Sequence, residues 1–174
     1  MPKLLPHLVI IVILVSIVFA WFSLAPWVPT LSKDLKRINK IAKLKPGQTF
    51  LELGCGDGRV CSYIARQNPK AKVIGIELAF PFYVFTKLRV ALCGPKNVQI
   101  VFGDALKYDI SDIDVLYVFG LMETVNKKIK QKIDKQMKPK AKLISYVFAM
   151  QKWSGKETKY KEGKNISGIY VYEY

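Results

Sequence analysis

Between Leu51 and Val60 the chain reads LELGCGDGRV, with glycines at 54, 56 and 58 directly behind a short apolar run. Three glycines at alternate positions leave the backbone bare of Cβ atoms, so it turns sharply and lets a ligand come close. A loop of this kind, behind a strand and ahead of a helix, places a chain in the α/β class. Ligands there bind at the C-terminal edge of the sheet. Two known glycine signatures do not fit. The dinucleotide fingerprint needs glycine or alanine where Arg59 stands, and a Walker loop needs a following G-K-[ST] that is absent. What remains is an acid, Glu52, followed by G-x-G-x-G.

The pattern beyond the KPG turn at Lys45–Gly47 agrees with that class. Strands are predicted over Thr49–Leu53, Lys72–Glu77, Val98–Phe102, Asp114–Phe119 and Lys142–Phe148. Two more are predicted around Thr158–Lys161 and Ile169–Tyr174, with EGKN as connector. Helices fall between them over Gly58–Gln67, Pro81–Leu92 and Leu121–Met137, and Pro81 suits a first helical turn. Strand–helix alternation implies a mostly parallel sheet with helices on both faces.

Two further acids fall at strand ends. Glu77 closes VIGIEL about 20 residues after the glycines, where a doubly wound fold places a carboxylate to accept ribose hydroxyls. Asp104 follows the third strand in IVFGDAL, where a carboxylate can accept an exocyclic amine. Acids lining the loop argue against a diphosphate. A nucleoside carrying an amino acid and a positive charge fits better.

The N-terminus is of another kind. From Leu8 to Leu24 there is no charge, and those residues span roughly 26 Å as a helix, close to the hydrocarbon core of a bilayer. Trp21, Phe22 and Trp27 gather at its end as an interfacial belt does, and no small-residue cleavage site follows. Only Lys3 precedes the segment, whereas Lys33, Lys36, Arg37, Lys40, Lys43 and Lys45 follow it. The positive-inside rule then puts the C-terminal part in the cytoplasm. Within the basic stretch, Leu31, Leu35, Ile38 and Ala42 recur at helical spacing, with Thr30 as a candidate N-cap. Such a helix can lie on anionic headgroups or pack on the domain with its lysines in solvent. The expected organisation is an anchor over 1–29, a basic amphipathic helix over 30–45 and a catalytic domain over 46–174.

The formal net charge of +15 favours acidic partners. The cysteines, Cys55, Cys61 and Cys93, contain no C-x-x-C pair, which argues against a disulfide framework or zinc site. The single histidine, His7, lies outside the expected domain, so chemistry built on histidine is excluded there.

The motifs LELGCGDGRV, GIEL and VFGDAL resemble the successive motifs of class I S-adenosylmethionine-dependent methyltransferases, over most of the chain after Lys45. The resemblance implies a doubly wound, mostly parallel seven-stranded Rossmann-like sheet and S-adenosylmethionine as cofactor, with S-adenosylhomocysteine as product and no metal. It also implies that Glu52, Gly54, Cys55, Gly56 and Gly58 line the methionine part of the cofactor. Glu77 and Leu78 would then meet the ribose, and Asp104 and Ala105 the adenine. More narrowly, APWVPT, PFYVFTKLRVAL, GDALK, VFGLMETV and YVFAMQKW resemble the small membrane-anchored protein lysine methyltransferases whose mitochondrial members modify ATP synthase subunit c and the adenine nucleotide translocase. This chain looks like a compact prokaryotic relative. It departs from them at Cys55 and Ala79, where Ser and Asn are expected, and it lacks the usual Pro after Phe119.

The implied activity is lysine N-methylation of protein substrates, membrane-embedded ones included, by a single-pass membrane protein held through its N-terminal helix and basic collar. A lysine must lose its proton before it attacks, and an apolar slot lowers its pKa. Phe119, with the Gly120 backbone, is the candidate for shaping that slot. The Asp/Asn-Pro-Pro-Tyr stretch of methyltransferases for planar amines is absent there, so adenine N6 and glutamine are not expected acceptors. Glu123 is read as a helix cap in preference to a group that assists deprotonation of the acceptor. An RNA methyltransferase, a small-molecule or lipid methyltransferase, and an inert membrane-surface scaffold stand as alternatives. Nucleic acid is not the expected partner, because no appended RNA-binding module is visible.

Overall fold

The computed structural model describes residues 4–23, 28–151, 156–160 and 166–173. Helix α1 (Leu4–Ser23) is followed by α2 (Ser32–Ala42) and then by the sheet. Strands β1 (Thr49–Leu53), β2 (Lys72–Glu77), β3 (Val98–Phe102), β4 (Val115–Val118) and β5 (Lys142–Tyr146) pair in parallel in the order β3-β2-β1-β4-β5. Strands β6 (Lys156–Tyr160) and β7 (Ile169–Glu173) add an antiparallel pair, β7 against β5 and β6 at the edge. This is the seven-stranded, mostly parallel Rossmann-like sheet expected, made mixed by the antiparallel pair β7 and β6.

The inner strands read as continuous apolar runs because both of their faces are covered. Phe50, Val73, Val115 and Ile144 face α2 and α3 (Arg59–Gln67), packing with Ile38, Val60 and Ile64. Helix α4 (Phe80–Cys93) lies on the same side through Tyr83 and Val90, with its proline in the first turn as expected. Leu51, Ile74, Leu116 and Leu143 face the other way, towards the segment after β4.

That segment departs from the single helix predicted over Leu121–Met137. It runs as α5 (Met122–Thr124), a π-helix over Val125–Ile129, and α6 (Lys130–Gln136). The spacing gives the reason. Val125, Ile129, Ile133 and Met137 repeat every four residues and all are buried. A helix of 3.6 residues per turn would carry that row round by about 40° at each step. The wider π turn keeps the row on the sheet.

The ends of β4 and β5 are also shorter than predicted, which leaves Phe119 and Phe148 outside the ladder. Glu123 is not a cap: it forms an exposed ion pair with Lys127 at 2.7 Å, one turn on. Thr30 is not the N-cap of α2 either. Leu31 holds that position, and the Thr30 hydroxyl is bonded elsewhere. The buried face of α2 is Asp34, Ile38, Ile41 and Ala42, so Leu31 is left 46% exposed.

Helix α1 lies against α4, with Leu8, Val12 and Ile13 facing Phe80, Pro81, Val84 and Phe85 around a cavity of about 480 Å³. Among the described residues no helix is long and apolar enough to cross a membrane, so the spanning anchor expected within 1–29 is not found among them. The aromatic belt expected at Trp21, Phe22 and Trp27 lies outside the residues whose side chains are described, as does the EGKN connector.

Candidate functional site

The parallel strands bring their C-terminal ends to one edge, and the chain reverses its strand order between β1 and β4. An open α/β sheet binds its ligand at that point. The glycine loop opens there. Gly54, Gly56 and Gly58 hold φ values of +76°, +51° and +67°, a left-handed run that side chains resist. The loop is tied down from below and behind. Cys55 N–H donates to the Ile76 carbonyl at 2.8 Å, and the Thr86 hydroxyl of α4 donates to the Gly56 carbonyl at 2.6 Å. Arg89 donates to the Asp57 carbonyl. A Cβ on Gly58 would meet the Thr86 methyl at 2.5 Å, so the loop is close-packed as well as left-handed. The Cys55 side chain turns inward. It and Cys61 sit against Gly75 of β2, where an added Cβ would lie 2.8 Å from the Cys61 sulfur. Its backbone is used within the loop as well, the carbonyl accepting from Gly58 N–H at 2.7 Å, so Cys55 shapes the loop rather than meeting a ligand with a polar group.

Three carboxyl groups line this edge. Glu52, 5% exposed, accepts from Cys61 N–H at 3.1 Å and from Cys61 Sγ at 2.9 Å. Burial pushes its pKa up to about 8; the Cys61 bonds oppose this, and the charges of Asp57 and Glu77 add to it. Glu77 ends β2 and spans two peptides, Oε2 accepting from Gly56 N–H at 2.7 Å and Oε1 from Ala79 N–H at 2.8 Å. Burial raises its pKa against those bonds. Leu78 is half-buried beside it. Asp104 follows β3, with Oδ1 accepting from Leu106 N–H at 2.8 Å, and Ala105 is buried next to it. Asp57 is also buried in part, which raises its pKa, but its bonds to Arg59 more than compensate and hold it low. Among the described residues no cluster of His, Cys, Asp and Glu could hold a metal ion.

Beyond β4 the edge is aromatic. Phe119 is half-buried and meets the Tyr146 ring edge-on, with centroids 4.8 Å apart and planes at 88°. Gly120 is buried behind it. Tyr146 is held in turn: its hydroxyl donates to Asp34 Oδ2 at 2.7 Å and lies 3.1 Å from Ser167 Oγ. Val147 follows at φ +74°, an outlier for a β-branched residue, fixed by its N–H bond to the Gly168 carbonyl at 2.8 Å. Thr30 Oγ1 and the Tyr117 hydroxyl are 2.7 Å apart, and Arg59 reaches the Thr30 carbonyl at 3.4 Å. Helix α2 is thus bonded onto the edge of the site. Sequence reasoning did not single out Asp34 and Tyr146. One signal was present: Asp34 is the only acid in the run from Lys33 to Lys45.

Residues 52–157 match a family model described as the ANTKMT methyltransferase domain. A protein-lysine N-methyltransferase of Saccharolobus islandicus is 32% identical over 84% of this chain and 92% of its own length. Among solved structures, an RNA methyltransferase from Salinibacter ruber in complex with S-adenosyl-L-homocysteine superposes with a TM-score of 0.75. It is 25% identical, over 83% of this chain and 92% of that one. An S-adenosylmethionine-dependent methyltransferase from Geobacter sulfurreducens, also with S-adenosyl-L-homocysteine, shares the fold at a TM-score of 0.57 and 20% identity. That match covers 76% of this chain and 51% of the other.

Proposed function

Because the chain belongs to the ANTKMT methyltransferase family and uses S-adenosylmethionine as its cofactor, we propose that it methylates the side-chain amine of lysine in protein substrates. The observation that carries the choice of acceptor is the half-buried Phe119 ring past the end of β4, held edge-on by the buried Tyr146 of β5, together with the lysine-directed activity of the Saccharolobus relative. Aromatic faces attract a cationic amine, and an apolar wall favours its neutral, nucleophilic form.

The residues present fit the cofactor. Glu77 uses one lone pair on each oxygen for the backbone and keeps others for the two hydroxyls of a ribose. The bare loop of Gly54, Gly56 and Gly58 admits the methionine part, with Glu52 beneath it. Asp104 and Ala105 stand where the adenine would lie. When bound, S-adenosylmethionine supplies an electrophilic methyl on a sulfonium; a lysine nitrogen forms the new C–N bond as the S–C bond breaks. The protein's own part is to exclude water, favour the neutral amine, whose proton is lost to solvent before it enters the apolar slot, and aim its lone pair. Phe119, braced by Tyr146, shapes the slot in which that happens.

The test is methyl transfer from labelled S-adenosylmethionine to lysine-containing proteins and to membrane fractions. Label should appear on lysine after digestion and resist nuclease. Phe119→Ala should keep cofactor affinity while turnover falls roughly 10–100-fold, the cost of a loosened attack geometry. Nuclease-sensitive label would replace this reading with the RNA acceptor that the Salinibacter neighbour's name suggests.

The same proposal extends to place. The uncharged run Leu8–Leu24 holds the protein at a membrane, with the catalytic domain on the cytoplasmic side. In support, Leu8, Ile10, Ile11, Val12, Leu14, Val15 and Val18 stay more than half exposed although α1 touches α4, an apolar surface suited to lipid. The asymmetry of lysine and arginine about the segment supports the orientation. The full chain should sediment with the membrane fraction in low salt, and recovery in the supernatant would refute attachment.

A further inference from the structure

Helix α2 carries a stripe of cations that the reaction does not use. Lys33, Lys36, Arg37, Lys40 and Lys43 recur at helical spacing and line one side of a groove of about 360 Å³. Ile41 lies among them, and Tyr160, the last residue of edge strand β6, lines it as well. None of the described lining residues is acidic. Asp34, the one acid of α2, points inward and is occupied by Arg37 at 2.6 Å and by Tyr146.

Arg37 joins the groove to the site. Its Nη1 donates to Asp34 Oδ1 and to the Ser167 carbonyl at 3.1 Å, and its Nη2 donates to the Tyr160 carbonyl at 3.2 Å. Asp34 holds Tyr146, and Tyr146 braces Phe119. A chain lying along the stripe therefore starts two side chains away from the acceptor slot.

We propose that this groove binds an acidic segment of the protein substrate next to the target lysine, an inference that rests on the lysine reading above. Its shape favours that occupant. An eleven-residue helix is about 16 Å long, room for about five residues of extended chain. A trough bounded by an edge strand suits a peptide laid beside it, whereas a bilayer surface is flat and calls for cations on a convex face. Single-stranded nucleic acid needs a series of stacking platforms, and Tyr160 is the one aromatic among the described lining residues.

Two measurements on the full-length protein test this. The first is anisotropy of a labelled glutamate-rich peptide that contains no lysine, so that binding is read without methylation. The second is steady-state methylation of peptides sharing one central lysine flanked by glutamate, glutamine or arginine. Lys36 and Lys40 are exposed and outside the site, so Lys36→Glu with Lys40→Glu should leave the fold and cofactor affinity intact. The wild type should bind the glutamate peptide, and acidic flanks should lower KM about tenfold with kcat unchanged. The double variant should lose both effects. Equal KM for all flanks, or glutamate-peptide binding that survives the double substitution, overturns the proposal. So does binding of phosphatidylglycerol vesicles or an oligonucleotide that depends on Lys36 and Lys40 while the glutamate peptide does not bind. Glutamate-peptide binding that the double variant loses, without methylation of any lysine peptide, supports the groove and overturns the lysine reading instead.

Discussion

Glu77→Ala should weaken S-adenosylmethionine binding about a hundredfold or more, with the sheet still folded. Two effects combine. The carboxylate holds Gly56 N–H at 2.7 Å and Ala79 N–H at 2.8 Å, so it both shapes the glycine loop and fixes the start of α4. Hydrogen bonds to a charged group contribute about 1.5–3 kcal/mol each, and a buried donor left unpaired costs about 1–3 kcal/mol. The ribose hydroxyls would lose their acceptor as well. A loss of about 2.8 kcal/mol already corresponds to a hundredfold change in Kd. Glu77→Gln separates charge from shape, because its amide NH2 must face one of the two backbone donors; it should fall between wild type and alanine. Calorimetry gives the affinities and far-ultraviolet circular dichroism checks the fold. Binding by Glu77→Ala within threefold of wild type would remove Glu77 from the cofactor site.

The parts of this molecule legible in sequence are those set by neighbours along the chain. The glycine loop could be read because its demand for left-handed backbone is local, and the strands because apolar runs of five residues flanked by turns have few other uses. The two strand-end acids could be placed because strand length fixes where an edge falls. The bonds of α2 to the site were not legible. Thr30 looks like a cap in isolation, yet its partner, Tyr117, is 87 residues away, and Asp34 and Tyr146 are separated by 112. Those pairs exist because the sheet order brings β4 and β5 under α2. The same cause explains the one residue of that helix face that misses: Ile38 and Ala42 are buried and Leu35 packs on the core as expected, but with Asp34 committed inward Leu31 is turned out to solvent and Ile41 joins the core. The π turn at Val125–Ile129 was hidden for a different reason. A four-residue apolar repeat passes for an ordinary helix until the sheet beneath it requires every member of the row to stay in contact.

Glu52 should make both stability and cofactor affinity depend on pH across the neutral range. Its carboxyl titrates at about 8 in the folded chain, raised by burial from an ordinary value of 4.5. The folded state then binds more protons than the unfolded state between those two values. Stability must fall as pH rises through that window. The contribution is fully present below pH 4.5 and is lost as pH rises through about 8. Glu52→Gln keeps the shape, removes the titration and should flatten the profile, so the variant gains on wild type towards pH 9. Melting temperatures of both proteins from pH 5 to 9, without cofactor, read this directly. The cofactor pulls the other way. A sulfonium or ammonium beside Glu52 favours the carboxylate and lowers its pKa. Binding at pH 7 should therefore release protons, up to one per site, and tighten as pH rises from about 6 to 8. Calorimetry in buffers of different ionisation enthalpy measures that release. Loss of the signal in Glu52→Gln would assign it to this carboxyl. A wild-type binding enthalpy that does not change with buffer would mean that Glu52 does not titrate on binding, and that the charge of the cofactor is balanced elsewhere on the edge.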